Sequence, residues 1–100
     1  MNSPFGQLGV GEKALKAIEE LGFQEPTPVQ AQAIPVLLTN ERDFVGLAQT
    51  GTGKTAAFGL PLIELVDFSQ SFSQALVLAP TRELCVQITR DMESFAKFHE

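Results

Sequence analysis

The stretch Ala48-Gln49-Thr50-Gly51-Thr52-Gly53-Lys54-Thr55, AQTGTGKT in one-letter code, lies between a short apolar run and a segment with helical periodicity. Its small and glycine residues allow successive backbone N–H groups to curl around an anion, and the following helix points its positive dipole end at it. Lys54 adds a mobile cation for phosphate oxygens, and Thr55 offers a hydroxyl to Mg²⁺, which prefers hard oxygen ligands. The stretch therefore fits the spacing of a phosphate-binding P-loop, with Ala48 in place of the usual first glycine.

The alternative interpretation of this stretch is a glycine-rich turn that binds nothing. A match to the eight-residue pattern arises by chance in roughly one chain of this length in a hundred. Lys54 is also a poor choice for the first turn of a helix, because it opposes the macrodipole unless an anion binds there. We therefore predict a phosphate site in which Lys54 and Thr55 are catalytic and Thr55 is the metal ligand.

The segments on both sides of this loop alternate between two patterns. Residues 43–48 and 75–79 are short apolar runs typical of buried strands. Helices are predicted from Lys54 to about Val66, with a bend at Pro61, and from a cap at Thr81 onward. Strand, helix, strand, helix indicates an α/β fold with a parallel sheet and a right-handed crossover. Two strands are too few for an independent α/β domain, so we expect the chain to be part of a larger one.

Two further helices are predicted upstream of the loop. The first runs from Glu12 to Leu21 and ends at Gly22, which suits a left-handed C′ position. The second begins at Thr27, where Pro28 suits the first helical position and Gln30 can reach back to the cap. Capping alone therefore accounts for the start of this second helix, Pro26-Thr27-Pro28-Val29-Gln30.

Composition limits the possible functions. The 100 residues are 44% hydrophobic and 19% charged, which is a globular composition, and the net charge is −5. On electrostatics alone an acidic chain argues against binding nucleic acid. Cys85 and His99 are single residues without metal-ligand spacing. The longest apolar stretch, 56–66, is too short to span a membrane and the start does not read as a secretory signal, so we expect a soluble cytoplasmic protein without a membrane partner.

Three separated blocks together resemble the DEAD-box ATP-dependent RNA helicases. Phe5 and the block 22–30 resemble the family's Q motif, residues 48–55 match its motif I, and Ala79-Pro80-Thr81-Arg82-Glu83-Leu84 matches its motif Ia. The resemblance covers nearly the whole chain. It implies that residues 1–100 are the N-terminal portion of the first RecA-like helicase domain, an α/β P-loop NTPase fold truncated before the Asp-Glu-Ala-Asp motif. Within it the Q-motif region spans 3–31, the P-loop 48–55 and motif Ia 79–84.

The resemblance also implies the roles of single residues and two cofactors, ATP and Mg²⁺. Gln30 would hydrogen-bond the adenine edge with support from Thr27, and Phe23 would stack on the base. A carboxamide presents one donor and one acceptor, as the N6/N7 edge of adenine requires. The complete predicted ATP-binding set is Phe23, Thr27, Gln30, Ala48, Gln49, Thr50, Gly51, Thr52, Gly53, Lys54 and Thr55.

For RNA, the resemblance implies that Pro80, Thr81 and Arg82 contact the sugar-phosphate backbone at the start of the last helix. Without the resemblance, the same residues are better explained as an ordinary capped junction with charged residues on a solvated face.

The function implied is ATP binding and RNA-stimulated hydrolysis that drives local unwinding of an RNA duplex. The family's Asp-Glu-Ala-Asp and Ser-Ala-Thr motifs and its second lobe do not occur in these residues. Because phosphoryl transfer needs several such parts together, we expect the 100 residues alone to be inactive. Two alternatives stay open: a non-catalytic nucleotide- or partner-binding module, and another P-loop NTPase such as a nucleotide kinase. Protein partners are not indicated.

Overall fold

A computed structural model of the chain describes residues 4–39, 43–46 and 54–99. Five α-helices occur in this part of the chain: α1 (Pro4–Gln7), α2 (Glu12–Glu20), α3 (Pro28–Thr39), α4 (Lys54–Leu65) and α5 (Arg82–Phe95). The bounds of α2 and α4 and the start of α3 agree with the sequence-based predictions to within one residue.

Helix α2 has the alternation of apolar and charged residues that was predicted for it. Its apolar face, which includes Leu15 and Ile18, is buried. At its end Gly22 has a φ of 90°, so it occupies the left-handed region as predicted. The Gly22 N–H donates to the Glu19 carbonyl (3.1 Å) and the Phe23 N–H donates to the Ile18 carbonyl (3.0 Å). These two bonds form a Schellman motif, which fixes the backbone of Phe23 to the helix.

Helix α3 begins at the predicted capping box. The Thr27 N–H donates to Gln30 Oε1 at 2.9 Å, and the Gln30 N–H donates to Thr27 Oγ1 at 3.4 Å. The two residues thereby satisfy each other's backbone donors at the helix start. Pro35 lies inside α3 and Pro61 inside α4, and both helices continue past their proline.

The core lies where α4 meets its neighbours. Helix α4 packs against α3 and α5, α5 packs also against α2, and α1 packs against α2. Ile18, Ile34 and Leu60 are among the largest fully buried side chains, and each contributes about 1.5–3 kcal/mol through burial. The core cluster consists of Phe5, Val10, Ala14, Leu15, Ile18, Ile34, Ala56, Leu60, Ile63 and Phe95.

The two predicted strands are not formed in the described residues. Residues 43–46 and 75–79 have no regular secondary structure, and residues 47–48 of the first strand lie outside the described part. Val45, Leu76 and Leu78 are 87%, 83% and 84% exposed. A strand exists only through hydrogen bonds to a neighbouring strand, and a parallel sheet also needs cover on both faces. The apolar pattern of these segments is that of buried strands, but the described residues contain no strand that pairs with them.

A compact loop joins α4 to the segment 75–79. The Asp67 N–H donates to Gln74 Oε1 (2.9 Å) and Gln74 Nε2 donates to the Asp67 carbonyl (2.8 Å), so one carboxamide closes the loop. The Ser69 hydroxyl donates to Asp67 Oδ1 at 2.6 Å. This bond, followed by the one from the Ser69 N–H, holds the pKa of the Asp67 carboxyl below its ordinary value. The loop is thus ordered by its own polar side chains.

Candidate nucleotide-binding site

The predicted phosphate site is described from Lys54 onward, because residues 48–53 of the loop lie outside the described part of the chain. Lys54 is the first residue of α4 and its side chain is exposed, whereas Thr55 is half-buried. The first backbone N–H groups of a helix have no partner within it, and the dipole adds about half a positive charge there. The start of α4 therefore combines a helix terminus, an ammonium group and a hydroxyl, all of which favour a phosphate.

A cavity of about 570 Å³ opens beside this helix start. Its lining includes Lys54, Thr55 and Phe23, so the structure brings together residues of the predicted adenine and phosphate ends of the site. The volume lies within the range of roughly 300–1,000 Å³ that is usual for small-molecule sites. The cavity is large enough for a mononucleotide.

Phe23 is held in place by two other aromatic rings. Its ring centroid lies 6.1 Å from that of Phe5, at an interplanar angle of 40°, and 6.1 Å from that of Phe95, at 71°. Phe5 and Phe95 are buried in the core, while Phe23 is half-buried. The structure therefore brings the upstream aromatic residue Phe5 next to Phe23 and gives Phe23 a fixed orientation at the cavity wall.

Gln30 is a buried polar residue, with 2% of its surface exposed. It is not among the residues that line the cavity with Phe23 and Lys54. Its Oε1 accepts the Thr27 N–H at 2.9 Å. Capping therefore fixes the orientation of the Gln30 side chain at the start of α3.

The burial of Gln30 decides which substitution can test its role. A glutamine that only caps a helix could be replaced by glutamate at little cost, but a glutamate at a position this buried would carry a desolvation penalty. Gln30→Glu therefore does not separate the capping role from adenine recognition, and a neutral truncation is the better test.

The residues predicted to contact RNA lie at the start of α5. Pro80, Thr81 and Arg82 are exposed, and Thr81 is the N-cap residue, whose Oγ1 accepts the Leu84 N–H at 3.1 Å. Leu84 is the first residue of α5 that lines the cavity. The predicted RNA-contacting residues are thus accessible and are not among the residues that line the candidate nucleotide cavity.

Helix α5 also contributes residues that sequence reasoning did not identify. Gln87 and Asp91 line the cavity together with Lys54, and Phe95 supports Phe23. No local motif marks Gln87 or Asp91, since they reach the cavity only because α5 packs on α4. Their helical spacing of four residues is the one signal that they share a face.

The donor groups at the helix start fit Mg²⁺ only in part. Thr55 supplies a single hydroxyl oxygen, and within residues 4–39, 43–46 and 54–99 no group of three His, Cys, Asp or Glu side chains could hold a metal ion. Mg²⁺ usually keeps several waters and binds phosphate oxygens together with one or two protein oxygens. A single hydroxyl at a phosphate site is compatible with that mode.

Cys85 and His99 are not among the residues that line the cavity. Cys85 is an exposed free thiol. The ring of His99 stacks on that of Phe68, with centroids 4.9 Å apart. None of the helices in the described ranges has the length and apolarity needed to cross a membrane.

Comparison with known proteins places the chain in a family. The family model of the DEAD/DEAH box helicase matches residues 27–100. The chain is 53% identical over 88 residues to the DEAD-box ATP-dependent RNA helicase CshA of Geobacillus kaustophilus, covering 88% of this chain and 19% of that protein. It is 52% identical over 93 residues to the ATP-dependent RNA helicase DeaD of Escherichia coli, covering 93% and 15%. The chain therefore spans less than a fifth of the length of these curated relatives.

Solved structures give the same result for the fold. The structure superposes on Saccharomyces cerevisiae Dbp5 bound to RNA and ADP BeF3 with a TM-score of 0.90 and 39% identity, covering 98% of this chain and 25% of Dbp5. These similarities confirm the predicted fold class, an α/β RecA-like P-loop domain with a parallel sheet, although the described residues themselves form only helices. The chain belongs to the DEAD/DEAH box helicase family.

Proposed function

We propose that the complete protein is an ATP-dependent RNA helicase, and that residues 1–100 carry the adenine- and phosphate-binding portion of its first RecA-like domain. The family membership and the names of the two relatives support this assignment. A nucleotide kinase or another unrelated P-loop NTPase is disfavoured by the same matches. ATP binding and RNA-stimulated hydrolysis then drive local unwinding of an RNA duplex.

The observation that carries the proposal is the cavity shared by Phe23, Lys54 and Thr55. An aromatic side chain and the start of a P-loop helix come from separate parts of the chain and face one space. An adenine nucleotide needs both, because its base is flat and apolar on its faces while its phosphates carry the charge. A site for inorganic phosphate alone would have no use for Phe23.

Each residue of this site has a separate task in the proposed reaction. Phe23 stacks on the base, and Gln30, which is oriented by Thr27 and lies outside the lining of the cavity, is assigned to the donor and acceptor of the adenine edge by its place in the Q motif. Lys54 and the N–H groups at the start of α4 neutralise charge on the β- and γ-phosphates. The Thr55 hydroxyl would be a ligand of Mg²⁺, which would supply charge neutralisation at the phosphates. The residues of this chain thus bind and position ATP.

RNA binding by this chain is assigned to the start of α5. Pro80, Thr81 and Arg82 are exposed, and a helix start with an adjacent guanidinium favours the phosphates of a single strand. The solved Dbp5 structure contains RNA together with ADP BeF3, which supports a protein that holds both ligands at once. The net charge of −5 leaves the rest of the RNA affinity to other parts of the protein. We propose a cytoplasmic location on the basis of the globular composition of the chain.

The test is an RNA-stimulated ATPase assay on the full-length gene product. We expect hydrolysis that rises with added RNA and is lost in a Lys54→Ala variant. Lys13→Ala is the matched control, because Lys13 is also an exposed lysine in the first turn of a helix, and it should retain wild-type activity. Absence of ATPase activity in the wild type, or equal loss in both variants, would contradict the proposal.

A further inference from the structure

A hydrogen bond joins two helices that carry opposite ends of the candidate site. The backbone N–H of Gly11 donates to Oε2 of Glu64 at 2.9 Å, in a partly buried position. Gly11 is the N-cap residue of α2 and has no side chain with which to cap it. Glu64 lies in the last turn of α4. A carboxylate from one helix thus caps the start of another, where the dipole favours a negative charge.

A side chain at position 11 would have to displace the Glu64 carboxylate. A Cβ on Gly11 would lie 2.8 Å from Glu64 Oε1 and 3.0 Å from Oε2. The backbone of Gly11 has φ −77° and ψ 171°, a conformation that any residue adopts. The observed position of the carboxylate therefore depends on a glycine here, whereas the local backbone does not.

The other ends of the same two helices meet at the cavity. Helix α4 starts with Lys54 and Thr55, and it is continuous up to Glu64. Helix α2 ends in the Schellman motif that fixes Phe23 to Ile18. Both helical spans measure roughly 15 Å at 1.5 Å per residue. Glu64 and Gly11 thus lie at one end of this pair of helices, and Phe23 and the start of α4 lie at the other.

We propose that Glu64 is a positioning residue for nucleotide binding: by capping α2 at Gly11 it sets the distance between the adenine-stacking Phe23 and the phosphate-binding start of α4. The proposal rests on the assignment of the cavity as the ATP site. Leu15 of α2 and Leu60 of α4 belong to the same core cluster, and the directional hydrogen bond to the start of α2 adds a direct link between the two helices. Glu64 touches neither base nor phosphate in this account.

The prediction is specific to ligands that bridge both ends of the site. Glu64→Ala should raise the KM for ATP about five- to tenfold, the effect of one lost hydrogen bond of ordinary strength, and should change kcat less than twofold. The inhibition constant of inorganic tripolyphosphate, which engages only the phosphate end, should stay within twofold of wild type. Glu64→Gln keeps an acceptor oxygen and should restore most of the ATP affinity.

Gly11 provides an independent arm of the experiment. Gly11→Ala should raise the KM for ATP in the wild-type background, because the new Cβ displaces the carboxylate. In the Glu64→Ala background the same substitution should have little further effect, so the two changes should be strongly non-additive. Glu93→Gln, which neutralises an exposed carboxylate on α5, is the control and should leave the KM unchanged.

The experiment measures RNA-stimulated ATPase kinetics of the full-length protein in all variants, beside Lys54→Ala. An active wild type with an unchanged KM in Glu64→Ala overturns the positioning role alone. A proportional loss of kcat, ATP affinity and tripolyphosphate affinity, or additive effects of the two substitutions, also overturns it, because these outcomes indicate a merely structural contact. A wild type without Lys54-dependent ATPase activity contradicts the proposed function, and this inference with it.

Discussion

The side chains and backbones of Thr27 and Gln30 are joined by two reciprocal hydrogen bonds, from Thr27 N–H to Gln30 Oε1 at 2.9 Å and from Gln30 N–H to Thr27 Oγ1 at 3.4 Å. The same two residues are proposed to recognise adenine. The capping box does more than start α3, because it also holds in one orientation the carboxamide that is proposed to read the base.

Thr27→Ala should loosen the first turn of α3. Removal of an N-cap oxygen costs about 1 kcal/mol, which raises the equilibrium constant for opening of the turn about fivefold. Amide hydrogen exchange over the first turn of α3 in the full-length protein measures this change. Thr39→Ala removes a hydroxyl at the other end of the helix, where it donates to the Val36 carbonyl, and should leave those amides unaffected. Equal protection in both variants would contradict the capping role.

Gly22→Ala should destabilise the junction that carries Phe23. The φ of 90° at Gly22 penalises a Cβ by about 1–2 kcal/mol, and no atom lies within 4 Å of the added carbon, so the penalty comes from the backbone alone. Gly22→Asn should cost less, because asparagine tolerates the left-handed region better. Urea unfolding measures the free energy of unfolding, which should be highest for the wild type, lower for Gly22→Asn and lowest for Gly22→Ala. An alanine variant as stable as wild type would show that the turn is not held in this conformation.

The helices could be predicted from the sequence because their signals are local. Thr27, Gly22 and Thr81 each mark a helix end by their own chemistry, and the structure confirms all three. The strands at 43–48 and 75–79 could not be confirmed in the same way, because a strand depends on a partner that the described residues do not supply. Their apolar patterns nevertheless indicated the α/β class that the comparisons confirm.

Only those residues of the candidate site that belong to sequence motifs could be predicted. Phe23, Lys54 and Thr55 were predicted and line one cavity, whereas Gln87 and Asp91 reach it by tertiary packing. The hydrogen bond between Glu64 and Gly11 joins residues 53 positions apart, so no local pattern announces it. The roles of all the predicted site residues, residues 48–53 among them, and the cytoplasmic location stay predictions.

The exposed segment 75–79 should make the 100-residue chain self-associate when it is produced alone. Leu76 and Leu78 are 83% and 84% exposed, and an unpaired apolar segment is a template for pairing with another chain. Light scattering after size exclusion should detect oligomers. A Leu76→Lys/Leu78→Lys double variant should shift the chain toward monomer. A wild-type chain that stays monomeric at high concentration would contradict the expectation.

Arg82→Ala should weaken RNA binding in a salt-dependent way. Loss of one phosphate contact to a single strand lowers the slope of log affinity against log salt by about 0.7. Fluorescence anisotropy with single-stranded RNA at several salt concentrations measures this slope in the full-length protein. Arg90 is also exposed and lies further along α5, so Arg90→Ala is the matched control. If both variants lose the same affinity, the RNA contact is not localised at the helix start.

The central claim is that the helix starts of α3 and α4 belong to one adenine-nucleotide site, and base preference tests it most directly. Dissociation constants of ATP, GTP and inorganic tripolyphosphate should be measured for the full-length protein and for Gln30→Ala. We predict that the wild type prefers ATP over GTP, and that Gln30→Ala loses about 1–3 kcal/mol of this preference while its affinity for tripolyphosphate is unchanged. A Gln30→Ala variant that keeps the full preference for ATP would contradict the account.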